Sequence, residues 1–405
     1  RRRLLTRLLQ PDPTDAATIV HPLQLNIATC NAIMAFATET GGPMPHGAAP
    51  PFVRSPPVPP RLAVALCLAQ ASRRLELFCV DQLPSDASHG AQEHGSSDTG
   101  TGERVADVVQ AARASWATEL ARFDQPQAMA AFDEWERMRQ WHQSRNHSKT
   151  ESTLRQIVRE WSDEGATERA GSFGPLLTAL NEFAQNDRGG AALNVLVPGA
   201  GLGRLVFEVA RAGHHAEGNE FSYQMLLGSA YLLNGGLPAN SQAIAPFATT
   251  ATNQRSWDDR LRLVRFPDVC VNETPLPGTM GMSAGSFEHL YGAGEESAAS
   301  QFDVVLCSFF LDTAHCIDDY VAVLRHCLRP GGRVISLGPA LWHYSGMAGE
   351  ESVDLPWEEV REAFQAQGFR VLRETWNHTL WYCRDVRSML SRQYQGVFFE
   401  AELIA

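Results

Sequence analysis

The sequence contains no Cys-x-x-Cys pair, no long apolar run and no surplus of basic residues. Its eight cysteines (Cys30, Cys67, Cys79, Cys270, Cys307, Cys316, Cys327 and Cys383) are scattered along the chain. In a chain of 405 residues that argues against a disulfide scaffold and for reduced, intracellular thiols. The longest apolar runs, Leu62–Ala69 and (broken by Ser308) Val304–Leu311, span eight residues. A membrane-crossing helix needs roughly 20. The 34 Lys+Arg stand against 46 Asp+Glu, a formal charge of −12. That balance has the wrong sign for a protein that binds nucleic acid by neutralising phosphates. Neither a membrane nor a nucleic acid is expected as a partner. The expected location is the cytoplasm, with the nucleus as a second one.

What is present is ample apolar material: 44 % of residues are hydrophobic, and the length suggests two or three domains at about 150 residues each. Residues 1–10 carry four arginines and no acid, and read as the first turns of an amphipathic helix rather than the remnant of a basic targeting arm. Residues 41–60 contain eight prolines and cannot hold a helix or a central strand. Residues 84–103 are nearly devoid of large apolar side chains and should be flexible. Both read as insertions.

Helical periodicity follows. Val105, Val108, Val109, Ala112, Trp116 and Leu120 share one stripe, and Met129, Phe132, Trp135 and Met138 another. Leu154, Ile157, Val158 and Trp161 make a third. Residues 1–190 therefore form an N-terminal helical region, and residues 191–405 a second domain. There the texture changes: Leu193–Val197, Glu217–Glu220, Phe302–Leu311 and Arg333–Leu337 read as strands, with helices over Leu205–Ala212 and Ile317–Leu328. Alternation of this kind predicts a parallel, doubly wound α/β sheet.

Between the first strand and its helix lie Gly199, Gly201 and Gly203. Such a loop lets backbone approach a ligand closely and aims helix N-terminal amides at it. A dinucleotide fingerprint would place its third glycine at position 204, which is Arg204. The shorter G-x-G-x-G spacing suits a ligand without pyrophosphate, such as S-adenosylmethionine. Glu220, at the end of the second strand, is placed to accept ribose hydroxyls. Asp312 lies just beyond the strand ending near Leu311, on the edge that faces the ligand crevice in open α/β sheets. It could alternatively cap the helix beginning near Ile317, although Thr313 or Asp318 would serve better. His315 with Cys316, and His326 with Cys327, lack the tight ligand pairs of zinc sites, so no metal is assigned.

Residues Val195–Asn234 resemble the carnosine N-methyltransferase family, whose members carry the VPGAGLGRL loop and the GNE acid in this arrangement. The resemblance extends through FPDV (266–269), SFFLDTAH (308–315), LRPGGRVISLGPALWH (328–343) and Tyr394, and back to LRQIVREWSDEG (154–165). It covers residues from about 130 to 405; residues 1–104 do not match. It implies a Rossmann-like class I methyltransferase sheet with an N-terminal helical region, and a tendency toward homodimers. Gln156, Arg159, Gly199, Gly201, Gly203, Glu220, Ser286, Phe287 and Ser308 would then hold S-adenosyl-L-methionine. Asp312, His343 and Tyr394 would hold the substrate, a small histidine-containing dipeptide. Without the family, Gln156 and Arg159 would read as a solvated helix flank, and His343 and Tyr394 as ordinary packing or surface residues. Two positions depart from the pattern. Ser286 stands where the family has Asp, so adenine contact should be weaker or water-mediated, because a hydroxyl is shorter and neutral. Ser308 stands where the family can show Cys.

The implied chemistry is transfer of a methyl group to an imidazole nitrogen of carnosine, giving an anserine-type product. Asp312 is the candidate catalytic residue, and no general base is assigned to His315. Other acceptors remain open, namely histidine in a protein or another heteroaromatic amine. So does a non-catalytic, cofactor-binding scaffold. A nicotinamide oxidoreductase is disfavoured by Arg204.

Overall fold

In the computed structural model, residues 145–404 are described apart from 249, 251 and 348, together with a few helical residues between 25 and 36. The basic N-terminal segment, both insertions and the stripes at 105–120 and 129–138 lie outside the described residues. From Lys149 onward the chain belongs to one compact unit.

From residue 145 the described chain runs through α1 (Arg145–Trp161), α2 (Ala166–Ser172) and α3 (Gly174–Asn186). Leu154, Ile157, Val158 and Trp161 of α1 are all buried, as their spacing predicts. Trp161 is fully enclosed. Its indole N–H donates to the Leu202 carbonyl at 3.1 Å. Its ring packs against Phe207, with centroids 5.7 Å apart. Trp161→Ala removes the ring and orphans that carbonyl, so urea unfolding should show a loss of about 3–5 kcal/mol. A loss under about 1 kcal/mol would mean that α1 is not an anchor of the loop.

The sheet part runs β1 (Asn194–Pro198), α4 (Arg204–Arg211), β2 (His215–Glu220), α5 (Tyr223–Asn234), β3 (Gln242–Ile244), α6 (Trp257–Leu261), β4 (Val264–Phe266) and β5 (Thr279–Ala284). It continues with α7 (Phe287–Tyr291), β6 (Phe302–Ser308), α8 (Ile317–Cys327), β7 (Leu328–Gly338), α9 (Trp357–Ala366), β8 (Phe369–Leu380) and β9 (Tyr394–Leu403). Seven strands form the main sheet in the order β5-β2-β1-β6-β7-β9-β8; β3 and β4 pair apart from it. β5, β2, β1, β6 and β7 are parallel. The strand order reverses at β1, so the crevice lies above the C-terminal ends of β1, β2 and β6.

The fully parallel sheet expected from alternation needs correction. β9 runs antiparallel to both β7 and β8. β8 occupies the sheet edge, and apolar Leu372 and Trp376 lie exposed while Arg373 and Glu374 are half-buried, so periodicity does not reveal it. The glycine-containing turn read at Arg329–Gly332 is also different. It lies inside β7, whose pairing with β6 shifts register between Phe302 and Val304. The strand read as Phe302–Leu311 ends at Ser308, because Phe309 adopts φ +53 and Leu311–Thr313 form a 3₁₀ turn.

Candidate active site

The glycine loop follows β1, and Gly199, Gly201 and Gly203 all have positive φ. Side chains at these positions would collide with their surroundings. A Cβ on Gly199 would lie 2.9 Å from the Phe310 ring, on Gly201 2.7 Å from Glu160 Oε1, and on Gly203 2.8 Å from Leu233. The loop is thus packed to backbone thickness at all three glycines. Glu220 closes β2 and accepts from Gly201 N (2.8 Å) through one oxygen and from Ser222 N (2.7 Å) through the other. Burial pushes its carboxyl above the usual range.

Gln156 and Arg159 are buried, not a solvated flank. Gln156 donates to the Tyr382 hydroxyl at 2.6 Å. Arg159 lies 2.9 Å from Glu168 and 3.6 Å from Glu160, with its guanidinium over the rings of Tyr382, Phe173 and Phe309. Its Nη2 is buried without a hydrogen-bond partner.

Ser286 caps α7, accepting from His289 N at 3.2 Å. The segment is tied to the acid of β2, since Gly285 N donates to Glu220 O at 3.1 Å. Phe287 is part of the core, its ring 5.1 Å from Phe310 and 5.2 Å from Tyr320. Ser308, at the end of β6, leaves its hydroxyl buried and unpartnered.

Asp312 sits in the 3₁₀ turn and does not cap α8, whose N-cap is Cys316. Only 8 % of it is exposed. Its Oδ2 accepts from Leu341 N at 3.0 Å, and its carbonyl accepts from His343 N at 2.7 Å. The turn after β6 and the loop after β7 are thereby locked together, with Asp312 and His343 side by side. Burial raises the Asp312 carboxyl above its ordinary range, against the pull of the Leu341 amide. Tyr394 begins β9 and joins the group through Phe309, whose ring lies 6.1 Å from it and 5.0 Å from Tyr382. His315 stands apart from the Asp312 carboxylate, stacked on Tyr344 at 3.6 Å with Nε2 3.2 Å from Glu350.

Three residues at this site escaped the reading of the sequence. Tyr382 and Phe309 carry no local signal. Glu160 does carry one, a carboxylate next to the fully buried Trp161. It is 2 % exposed and accepts from the amides of Leu202 and Arg204, both at 3.2 Å. Desolvation drives its pKa up to about 7. A carboxyl whose folded pKa is raised stabilises the fold at low pH, and that contribution is lost as pH rises through about 7. Relative to Glu160→Gln, the natural protein should therefore gain melting temperature as pH falls from about 8 to 5. Parallel curves would refute the shift.

Strand order, switch point and glycine cradle together define a Rossmann-like class I methyltransferase fold. The chain belongs to the carnosine N-methyltransferase family, whose profile matches residues 136–404. It is 35 % identical to the mouse carnosine N-methyltransferase over 252 residues, covering 62 % of each chain. It is 35 % identical to that of Schizosaccharomyces pombe over 266 residues, covering 63 % of this chain and 70 % of the other. The Drosophila melanogaster relative, carnosine N-methyltransferase unmet, is 34 % identical over 252 residues, 62 % of this chain and 54 % of its own. The chain thus spans about three-fifths of the length of the rodent relatives it matches. Among solved structures, a putative S-adenosylmethionine-dependent methyltransferase from Listeria monocytogenes aligns with TM-score 0.36 and 13 % identity, over 58 % of this chain and 99 % of that one. Among the described residues no helix is long and apolar enough to cross a membrane.

Proposed function

We propose that the protein is an S-adenosylmethionine-dependent N-methyltransferase that methylates the imidazole of carnosine or a related histidine-containing dipeptide. The observation that carries the acceptor half of this reading is Asp312. It is a buried carboxylate, pinned by Leu341 N through one oxygen, beside His343 at the crevice edge. The residues present also fit the cofactor. The glycine cradle admits no Cβ, Glu220 has lone pairs to spare beyond its two amides, and Arg159 Nη2 and the Ser308 hydroxyl are buried polar atoms without partners. Glu220 would accept ribose hydroxyls, Gln156 and Arg159 would hold the methionine end, and the Ser286–Phe287 segment would flank the adenine. Bound S-adenosylmethionine would supply an already activated methyl group.

The nucleophile is neutral imidazole, with the lone pair on one nitrogen and the proton on the other. Asp312 accepts that N–H, which fixes the tautomer and opposes the positive charge that grows on the ring as the methyl bond forms. As the nitrogen–methyl bond forms, the methyl–sulfur bond would break and S-adenosylhomocysteine would leave. The N–H proton passes to solvent from the methylimidazolium only afterwards, so no strong base is required. His343 and Tyr394 would contact the remainder of the dipeptide. Mass spectrometry of carnosine incubated with the protein and S-adenosylmethionine should show a product one methyl group heavier. Methylation confined to protein histidine, with carnosine untouched, would move the acceptor to a macromolecule. No methylation of any imidazole would end the reading.

A further inference from the structure

From Ala200 to Arg204, each backbone N–H of the glycine loop already has a partner within the protein. Ala200 N donates to Asn219 O and Gly203 N to Ala200 O, both at 2.9 Å. Gly201 N is taken by Glu220 at 2.8 Å, and Leu202 N and Arg204 N by one oxygen of Glu160, each at 3.2 Å. In dinucleotide-binding folds, amides at this position, at the start of the helix, hold the pyrophosphate. Here a carboxylate from α1 stands in its place.

Glu160 is held there firmly. Its own carbonyl accepts from Arg204 Nη1 at 2.8 Å, and Trp161, the next residue, is anchored to the Leu202 carbonyl. The cations nearby do not offset it for an incoming anion. Arg204 is paired with Asp268 and Glu208, and Arg159 with Glu168 and Glu160 itself, which leaves of these two cations only Arg159 Nη2, the atom assigned above to the methionine end. Glu220 adds a second negative charge on the same loop.

We propose that Glu160 is a specificity-determining residue, a built-in anion that closes the glycine loop to phosphate-bearing nucleotides. It admits only a nucleoside cofactor whose central link carries no negative charge. An entering phosphate finds no free amide from Ala200 to Arg204 and two carboxylates of its own sign in a desolvated setting. A sulfonium at the same link meets favourable charge. This inference rests on the reading of the loop as an S-adenosylmethionine site.

The test is calorimetric titration of the full chain with S-adenosylhomocysteine and, separately, with ADP, at about pH 8.5, above the pKa of about 7 that burial gives Glu160, so that its carboxylate is charged. The natural protein should bind S-adenosylhomocysteine at least about 100-fold more tightly than ADP. Glu160→Gln keeps the size and one acceptor oxygen, but removes the charge and supplies an N–H. It should narrow that ratio by about tenfold or more, through tighter ADP binding. Glu160→Ala, which frees both amides, should narrow it further. An unchanged ratio in either variant, provided it melts cooperatively, overturns the proposal, as does natural protein that binds ADP as well as S-adenosylhomocysteine. Failure of the natural protein to bind S-adenosylhomocysteine would instead overturn the cofactor reading. The gain or absence of ADP binding in the variants would still judge Glu160.

Discussion

Asp312→Asn should lower kcat/KM for imidazole methylation by about 10²–10³-fold and leave the affinity for S-adenosylhomocysteine within about threefold of the natural protein. The carboxamide is nearly isosteric, and its oxygen can still accept the Leu341 amide that Oδ2 accepts at 3.0 Å. The other half of the group then becomes an NH₂, which meets the substrate N–H donor to donor. It also brings no charge to oppose the forming imidazolium. Stability should not fall, because the substitution removes a carboxylate that burial already disfavours. Turnover followed by mass spectrometry, beside calorimetry of cofactor binding, separates these effects. If the Asp312→Asn protein turned over within about threefold of the natural rate, Asp312 would have no part in the chemistry.

Gly201→Ala should weaken S-adenosylhomocysteine binding by about 100-fold or more and cost about 2–4 kcal/mol of stability in urea unfolding. Two effects add. At φ +57 an alanine is strained, and its Cβ would lie 2.7 Å from Glu160 Oε1. That carboxylate is no free chain end able to swing aside, since its other oxygen is held by the amides of Leu202 and Arg204. Either the loop shifts or Glu160 leaves the helix start, and both alter the crevice. Combining Gly201→Ala with Glu160→Ala should cost less than the sum of the two, because the clash disappears with the carboxylate. Strict additivity in such a double-mutant cycle would show that the contact does not matter.

The parts of the site written in local order were legible along the chain. Strand, glycine loop, helix and acid follow one another between Asn194 and Glu220, and the parallel pairing of β1 with β2 within this one strand–helix–strand unit brings Gly201 and Glu220 together. The stripe Leu154, Ile157, Val158 and Trp161 likewise announced its buried helix. Five strands, β3, β4, β5, β8 and β9, are not among those the sequence pattern predicts, and for the last two the reason is physical. β8 is an edge strand with one face in water, and β9 is recognisable only once its antiparallel partners on both sides are known. The apolar run through Ser308 predicts a strand continuing to Leu311, yet β6 ends at Ser308, because nothing local marks Phe309 for positive φ.

By itself, the sequence argued against a membrane-spanning helix and a disulfide scaffold, and it lacks the G-x-G-x-x-G spacing of a dinucleotide loop. It also placed a glycine turn and Asp312 at the strand ends. These follow from residue type and short-range spacing, which the chain carries without folding. Tertiary structure decided what those residues touch. It set Asp312 beside His343 across the loop after β7, and joined Gln156 to Tyr382 over more than 200 positions of chain. It also carried Glu160 from the first helix onto the amides of the glycine loop. Such contacts depend on which elements pack together, and packing is set by burial over the whole unit rather than by any local run of residues.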